Sequence, residues 1–169
     1  MFGELTQIKL FIPTNVRHTA SAIKKIKVGD KLLGPDNTVR NVLSILRGKG
    51  QLYNVRQSNG IIYPVGENHI LSLVKYNHET REYDFLEIPA IEFIKGSKRM
   101  KNEWYGYKTI ATASGKWKNI GETEIGKYDI RSKLSSLTFK NIGEGRYYGI
   151  EVDDDHRIML NDHTVVYHG

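Results

Sequence analysis

Apolar and polar positions alternate along this chain in short runs, with turn residues breaking the pattern roughly every eight to twelve positions. Residues 6–11 (TQIKLF) read as a strand, and Pro13-Thr14-Asn15 breaks it. Residues 31–34 run into Pro35-Asp36-Asn37, where proline presets one backbone angle and Asp and Asn tolerate the next, so 39–46 returns as the second arm of a hairpin. Residues 51–57 lead into Ser58-Asn59-Gly60, a tight-hairpin signal, and 61–65 returns. A Gly66-Glu67-Asn68 turn then brings His69 to the mouth of the apolar strand 70–74.

The second half is less regular. Residues 19–28 fit a helical turn and a strand equally well. Residues 85–94 place Phe85, Ile88 and Ile91 on one helical face with Pro89 near the start, which predicts a short amphipathic helix. Residues 96–103 (GSKRMKNE) read as a surface loop or linker, 104–113 as a strand, and 114–127 as a Gly- and Lys-rich connection. After a weakly patterned stretch, 128–141, two β-patterned runs at 147–152 and 164–167 bracket the acidic turn Asp153-Asp154-Asp155 and carry His156 and His168. Short strands at this spacing, with at most one or two short helices, predict an all-β sandwich or barrel.

Composition narrows the function classes. The 169 residues suit one domain, 1–169, and no apolar run approaches the roughly 18 to 20 residues of a membrane span. No signal-peptide pattern opens the chain, so a cytoplasmic location without a membrane partner is expected. There is no cysteine, which removes disulfides, thiolate nucleophiles and cysteine-held zinc. The net charge of +6 would suit a polyanion, but the lysines are spread along the chain rather than gathered in a block. Phosphate-loop and solenoid patterns are missing too.

The candidate chemistry is histidine. His18, His78 and His163 sit in polar loop contexts, where the plain reading is a surface residue. His69, His156 and His168 each border an apolar strand, and His168 is penultimate. Zinc is a poor fit, because the spacings are long and no Cys is present, so no metal or other cofactor is expected. Acid–base chemistry at a peptide bond beside the chain end would explain an ordered penultimate histidine, since termini otherwise tend to fray.

Several segments together resemble the inteins, protein-splicing domains of the Hint (hedgehog/intein) class. Residues 1–8 (MFGELTQI) are similar to the first splicing block, in which a Cys or Ser at position one precedes a Thr, here Thr6, by five residues. Residues 26–34 (IKVGDKLLG) resemble the second conserved stretch, and Gly66-Glu67-Asn68-His69 stands where the family has Thr-x-x-His. Tyr148-Gly149-Ile150-Glu151-Val152 followed by His156 resembles the penultimate block, and Val165-Val166-Tyr167-His168-Gly169 the terminal one, which usually ends in His-Asn.

The resemblance implies a Hint-type horseshoe of short strands with pseudo-twofold symmetry. It also implies one site formed by Met1, His69, His156, His168 and Gly169, with Met1 and Gly169 close together. In the family, residue one attacks the upstream carbonyl, the block-two histidine protonates the scissile amide, and a terminal Asn cyclises with help from two histidines. No cofactor is consumed. The implied partners are the flanking extein segments in cis, or a complementary intein half in trans, around a monomeric domain.

This chain departs from the pattern at both junctions. Met1 has a thioether with no proton to lose, and Gly169 has no side-chain amide to form a succinimide. Gly66 replaces the family's Thr, and Gly149 replaces a common Asp. The resemblance therefore implies a single-turnover splicing domain whose present form is inactive, and an altered form of an active parent is the favoured origin. The length leaves no room for a homing-endonuclease insert, so a mini-intein or two joined split halves is expected, with linker or split-site regions at 96–103 and 114–127. The contrasting expectation is a non-enzymatic basic β-barrel that binds nucleic acid through Trp104-Tyr105-Gly106-Tyr107-Lys108. For that cluster a core strand with a snorkelling lysine is preferred.

Overall fold

The structure, a computed structural model, describes residues 2–3, 6–9, 20–35, 38–108, 110–111, 117–118, 133–154, 156–160, 162 and 164–167. In chain order the strands are β1 (Phe2–Gly3), β2 (Gln7–Lys9), β3 (Ala20–Ala22), β4 (Lys31–Leu33), β5 (Val39–Gln57), β6 (Tyr63–Gly66), β7 (Ile70–Asn77) and β8 (Glu82–Pro89). They continue as β9 (Gly106–Tyr107), β10 (Ile110–Ala111), β11 (Trp117–Lys118), β12 (Leu134–Ser135), β13 (Leu137–Val152), β14 (Arg157–Met159) and β15 (Val165–Tyr167). The helices α1 (Ala90–Ile94) and α2 (Lys98–Glu103) and a 3-10 turn at Ile23–Lys25 complete the described residues. All sheet pairings among the described residues are antiparallel, and the all-β expectation holds.

Two of the strands are not short. The expected break between 39–46 and 51–57 is absent: β5 runs unbroken for 19 residues and pairs with the 16-residue β13 from Leu137↔Gln57 to Val152↔Val42. The glycines that suggest a turn in this stretch serve packing across the ribbon. A Cβ on Gly48 would overlap the Tyr147 ring, and one on Gly145 would come within 2.6 Å of Leu52 Cδ1. Glycine lets side chains of one strand lie flat over the backbone of the other.

Both expected hairpins form. The second has a wider connection than a tight turn, because its ladder closes at Val55↔Tyr63 and the return strand starts at Tyr63 rather than at residue 61. β4 pairs with β5 (Leu33↔Val39), with Gly34 N–H donating to the Thr38 carbonyl across the turn, and β5 pairs with β6 (Val55↔Tyr63). Residues 19–28 divide between β3 and the 3-10 turn. Two expectations in the middle of the chain need correction. The helix predicted over 85–94 is strand through Pro89, because β8 pairs with β7 along its whole length (Asn77↔Glu82 to Ile70↔Pro89), and only Ala90–Ile94 is helical. The loop expected at 96–103 contains α2, started by Ser97, whose hydroxyl accepts from the Met100 N–H at 3.1 Å. Most of 114–127 lies outside the described residues.

One sheet closes on itself around the start of the chain. Phe2 of β1 lies opposite Tyr148 of β13 on one side and Val65 of β6 on the other, while β6 and β13 each pair with β5. The main core gathers Phe2, Ile8, Ile23, Leu32, Val55, Val65, Leu71, Phe93, Ile150, Ile158 and Val166, so residues from both ends of the sequence share one apolar interior. Fully burying side chains of this size is worth about 1.5–3 kcal/mol each. That explains why residues near the sequence ends are held in strands rather than frayed.

Candidate functional site

His69 is fixed from three directions. Its N–H donates to the Gly66 carbonyl at 3.1 Å, closing the turn that precedes β7. Its carbonyl accepts from Ala90 N–H at 2.8 Å, and the Glu67 carbonyl accepts from Ile91 N–H at 2.9 Å. Pro89 offers α1 no side-chain cap, so the 66–69 turn satisfies the first free N–H groups of that helix and is held by them in return. The side chain of His69 is 2% exposed and lies against Phe2, with ring centroids 4.5 Å apart at 53°. Phe2 in turn touches Tyr63 at 6.1 Å between centroids. Burial, with the nearby Asp162 carboxylate as a smaller cause, pushes the Tyr63 phenol far above the ordinary tyrosine range.

Thr6 follows β1, its N–H donating to the Gly3 carbonyl at 3.1 Å. It is buried, its carbonyl accepts from Ile23 N–H at 2.8 Å, and its hydroxyl finds no hydrogen-bond partner among the described residues. A buried hydroxyl without a partner is costly and calls for a role, and here it stands within the segment that resembles the first splicing block.

His156 belongs to the closing hairpin. It adopts a left-handed backbone with φ of 58°, as does Asp154 with φ of 62°, a conformation that non-glycine residues rarely take. Its ring lies 6.0 Å from that of Tyr167, and its Nδ1 is buried with no hydrogen-bond partner among the described residues. β14 pairs with β15 so that Arg157 stands opposite Tyr167, with its guanidinium 5.9 Å from the tyrosine ring centroid. Arg157 Nη2 also donates to Glu87 Oε1 at 2.6 Å.

Those contacts tie the closing hairpin to the β7–β8 pair. Glu87 lies opposite Ser72 in the β7–β8 pair, three residues along the strand that His69 opens. β15 packs on β7, and the closing hairpin also bridges to the first block through Ile8↔Leu160. Phe2 thus lies against His69 and Tyr167 beside His156. Met1, His168 and Gly169 lie outside the described residues, as do His18 and His163. His78 is in edge contact with Tyr76, 4.8 Å between centroids, at the far end of β7.

A partly buried polar network ties the closing hairpin to the rest of the fold, and sequence reading did not single it out. Asp162 accepts from Ile61 N–H at 2.9 Å and Thr164 N–H at 3.0 Å, and Gln57 Nε2 donates to Thr164 Oγ1 at 3.1 Å. Lys108 Nζ stands 3.8 Å from Asp162. Within the aromatic cluster at 104–108, Trp104 and Tyr105 are half-buried and Tyr107 faces inward: it is 0% exposed and its hydroxyl lies 3.0 Å from that of Ser72. This is the geometry of a core strand, with Lys108 reaching out to a carboxylate. No group of three or more His, Asp or Glu side chains that could hold a metal occurs among the described residues. No described helix is long and apolar enough to cross a membrane.

The closed sheet around β1, the long β5–β13 ribbon and the antiparallel closing hairpin β14–β15 define an all-β domain. Solved structures of this kind are inteins. The gp41-1 intein is 16% identical over 98% of this chain and 97% of its own, with a TM-score of 0.53. The Msm DnaB1 intein splicing domain, solved bound with zinc, is 12% identical over 99% of each chain, with a TM-score of 0.59. A DnaB intein from Synechocystis is 12% identical over 99% of this chain and 97% of its own, also at 0.59. No family model and no curated protein matches the sequence. The chain has the intein, or Hint, fold.

Proposed function

We propose that this chain is an intein splicing domain whose present junction residues, Met1 and Gly169, block both half-reactions. The observation that carries the reading is the paired placement of Phe2 against His69 and of Tyr167 beside His156. Each is the described residue nearest one expected scissile bond, and each stands against a buried or half-buried imidazole.

On this reading His69 serves the upstream junction. A hydroxyl or thiol on residue 1 would attack the preceding carbonyl, forming an ester or thioester as the C–N bond breaks. The imidazole of His69 would donate the proton that the leaving amine takes up. His156 and His168 serve the downstream junction, where the side-chain nitrogen of a terminal Asn attacks its own carbonyl and releases the following residue. The buried Nδ1 of His156, without a partner among the described residues, is a proton donor or acceptor held ready for that step. The Met1 thioether offers no labile proton and Gly169 no nucleophilic nitrogen, so neither half-reaction runs from the present residues.

Partners on this reading are the flanking segments in cis, or a complementary half in trans if the domain is divided. The regions 96–103 and 114–127 are the places for such a division, and α2 within the first buries no residue. A monomeric domain in the cytoplasm completes the proposal. The test is to place Met1→Ser or Met1→Cys together with Gly169→Asn between two reporter proteins, with Ser or Cys as the first downstream residue. A ligated reporter pair supports the reading. Absence of both ligation and cleavage at either junction rejects it.

A further inference from the structure

The acidic turn before His156 is docked on the first half of the chain, and the contacts are specific. Asn41 of β5 donates its backbone N–H to Asp153 Oδ1 and its Nδ2 to Asp153 Oδ2, both at 2.8 Å, and its carbonyl accepts from Asp153 N–H at 3.2 Å. Backbone and side chain of one residue thus engage backbone and side chain of the other. Next to it Arg40 is 1% exposed, and its Nη1 lies 3.6 Å from Asp154 Oδ2 while donating to Thr38 Oγ1 at 2.6 Å. Gly34 makes room for this guanidinium, since a Cβ there would overlap it.

The docking matters because of what the turn does to the backbone. Asp154 and His156 both hold left-handed φ values, which L side chains resist and which persist where surrounding contacts impose them. Asp153, clamped by Asn41, and Asp154, paired with Arg40, stand three and two residues before His156. The imidazole is aimed at Tyr167 by a strained turn whose restraints come from residues more than a hundred positions earlier in the sequence.

We propose that Asn41 and Arg40 are positioning residues for His156, so that docking of the 153–154 turn on β5 is what presets the downstream cleavage geometry. The proposal rests on the splicing reading for its consequence but not for its geometry. Downstream cleavage would then require a folded first half, including in a form divided into two pieces, where the docking can form only after the pieces associate. Upstream chemistry at His69, held by the 66–69 turn and α1, would not need these contacts.

The test has two arms. In the chain as it stands, proton NMR reads the contact between the His156 and Tyr167 rings, assigned with His156→Gln. Asn41→Ala should abolish that contact, and the exchange pair Asn41→Asp with Asp153→Asn, which restores a donor facing a carboxylate with the direction reversed, should recover it. In the second arm, with Gly169→Asn and a downstream reporter, Asn41→Ala should slow release of the reporter. The loss should be on the order of tenfold to a hundredfold, the scale set by displacing a reacting group by part of an ångström. Thiol-induced cleavage of a Met1→Cys form that keeps Gly169 should change by less than about twofold, because that step uses none of these contacts.

A retained ring contact in Asn41→Ala overturns the proposal, and so does equal slowing of the two cleavages, which would mean general loss of folding. If the parent with Gly169→Asn releases no reporter at all, the downstream part of the splicing reading fails, and the NMR arm alone decides the positioning claim.

Discussion

Phe2 and His69 meet ring to ring in the interior, 4.5 Å between centroids, although they stand far apart in the sequence. Phe2 is strand-paired on both sides, and His69 is held by the turn that satisfies α1. The contact therefore joins Phe2 to a buried imidazole whose backbone is tied down at both its N–H and its carbonyl. Truncating it should be expensive. Phe2→Ala removes a fully buried ring and should lower unfolding free energy by about 3–5 kcal/mol, as read by denaturant titration. Phe2→Leu, which keeps more of the volume, should cost clearly less.

Gly3 sets how closely the first strand approaches β6. A Cβ at that position would fall 2.5 Å from Cγ and 2.9 Å from Cβ of Pro64, atoms of a ring that has little freedom to move aside. Gly3→Ala should therefore destabilise the domain by about 1–3 kcal/mol, the usual cost of overpacking. Gly29→Ala, where nothing lies within 4 Å, meets no such clash and is strained only through its φ of 91°. Thermal unfolding of the two variants compares a steric cost with a conformational one.

The Asn41 side-chain amide, helped by its backbone N–H, holds the Asp153 carboxyl below the usual aspartate range. A carboxyl with a lowered folded value contributes stability that is present above the unfolded value, about 3.9. That contribution is lost as pH falls through the lower folded value. Stability should therefore drop on acidification below about pH 4, and Asp153→Asn should flatten that part of the profile. Denaturant midpoints measured across acidic pH in both proteins check the sign. The side chain is close to solvent, so the effect is expected to be small.

Much of this architecture is written locally. Pro35-Asp36-Asn37 and Ser58-Asn59-Gly60 mark their turns by residue type and both hairpins form there, the second also held by Ser135 and Ser136, which bond Ser58 and Asn59. Where tertiary packing decides, local pattern misleads. Gly48 and Gly50 read as a break, yet they lie in the middle of β5 because Tyr147 from the partner strand occupies the space their side chains would fill. Phe85 and Ile88 have helical spacing, yet β8 is a strand because β7 offers it a full ladder of hydrogen bonds, and the helix begins only after Pro89.

The site divides in the same way. His69 and His156 stood out by their position at the edges of apolar strands. Phe2, Asn41 and Arg40 did not, because their meaning lies in contacts with residues far along the chain. Thr6 was visible as part of a resembling segment, whereas its buried hydroxyl without a partner among the described residues is a structural observation.

The central claim is that His69 and His156 serve two separate junctions of one splicing centre. The direct measurement uses the junction-restored chain, with Met1→Cys and Gly169→Asn between two reporters, and scores each cleavage product separately by mass. His69→Ala should suppress release at the upstream junction while downstream cleavage continues, and His156→Ala should do the reverse. If each substitution affects both junctions equally, or neither affects any, the assignment of the two histidines to two half-reactions is wrong.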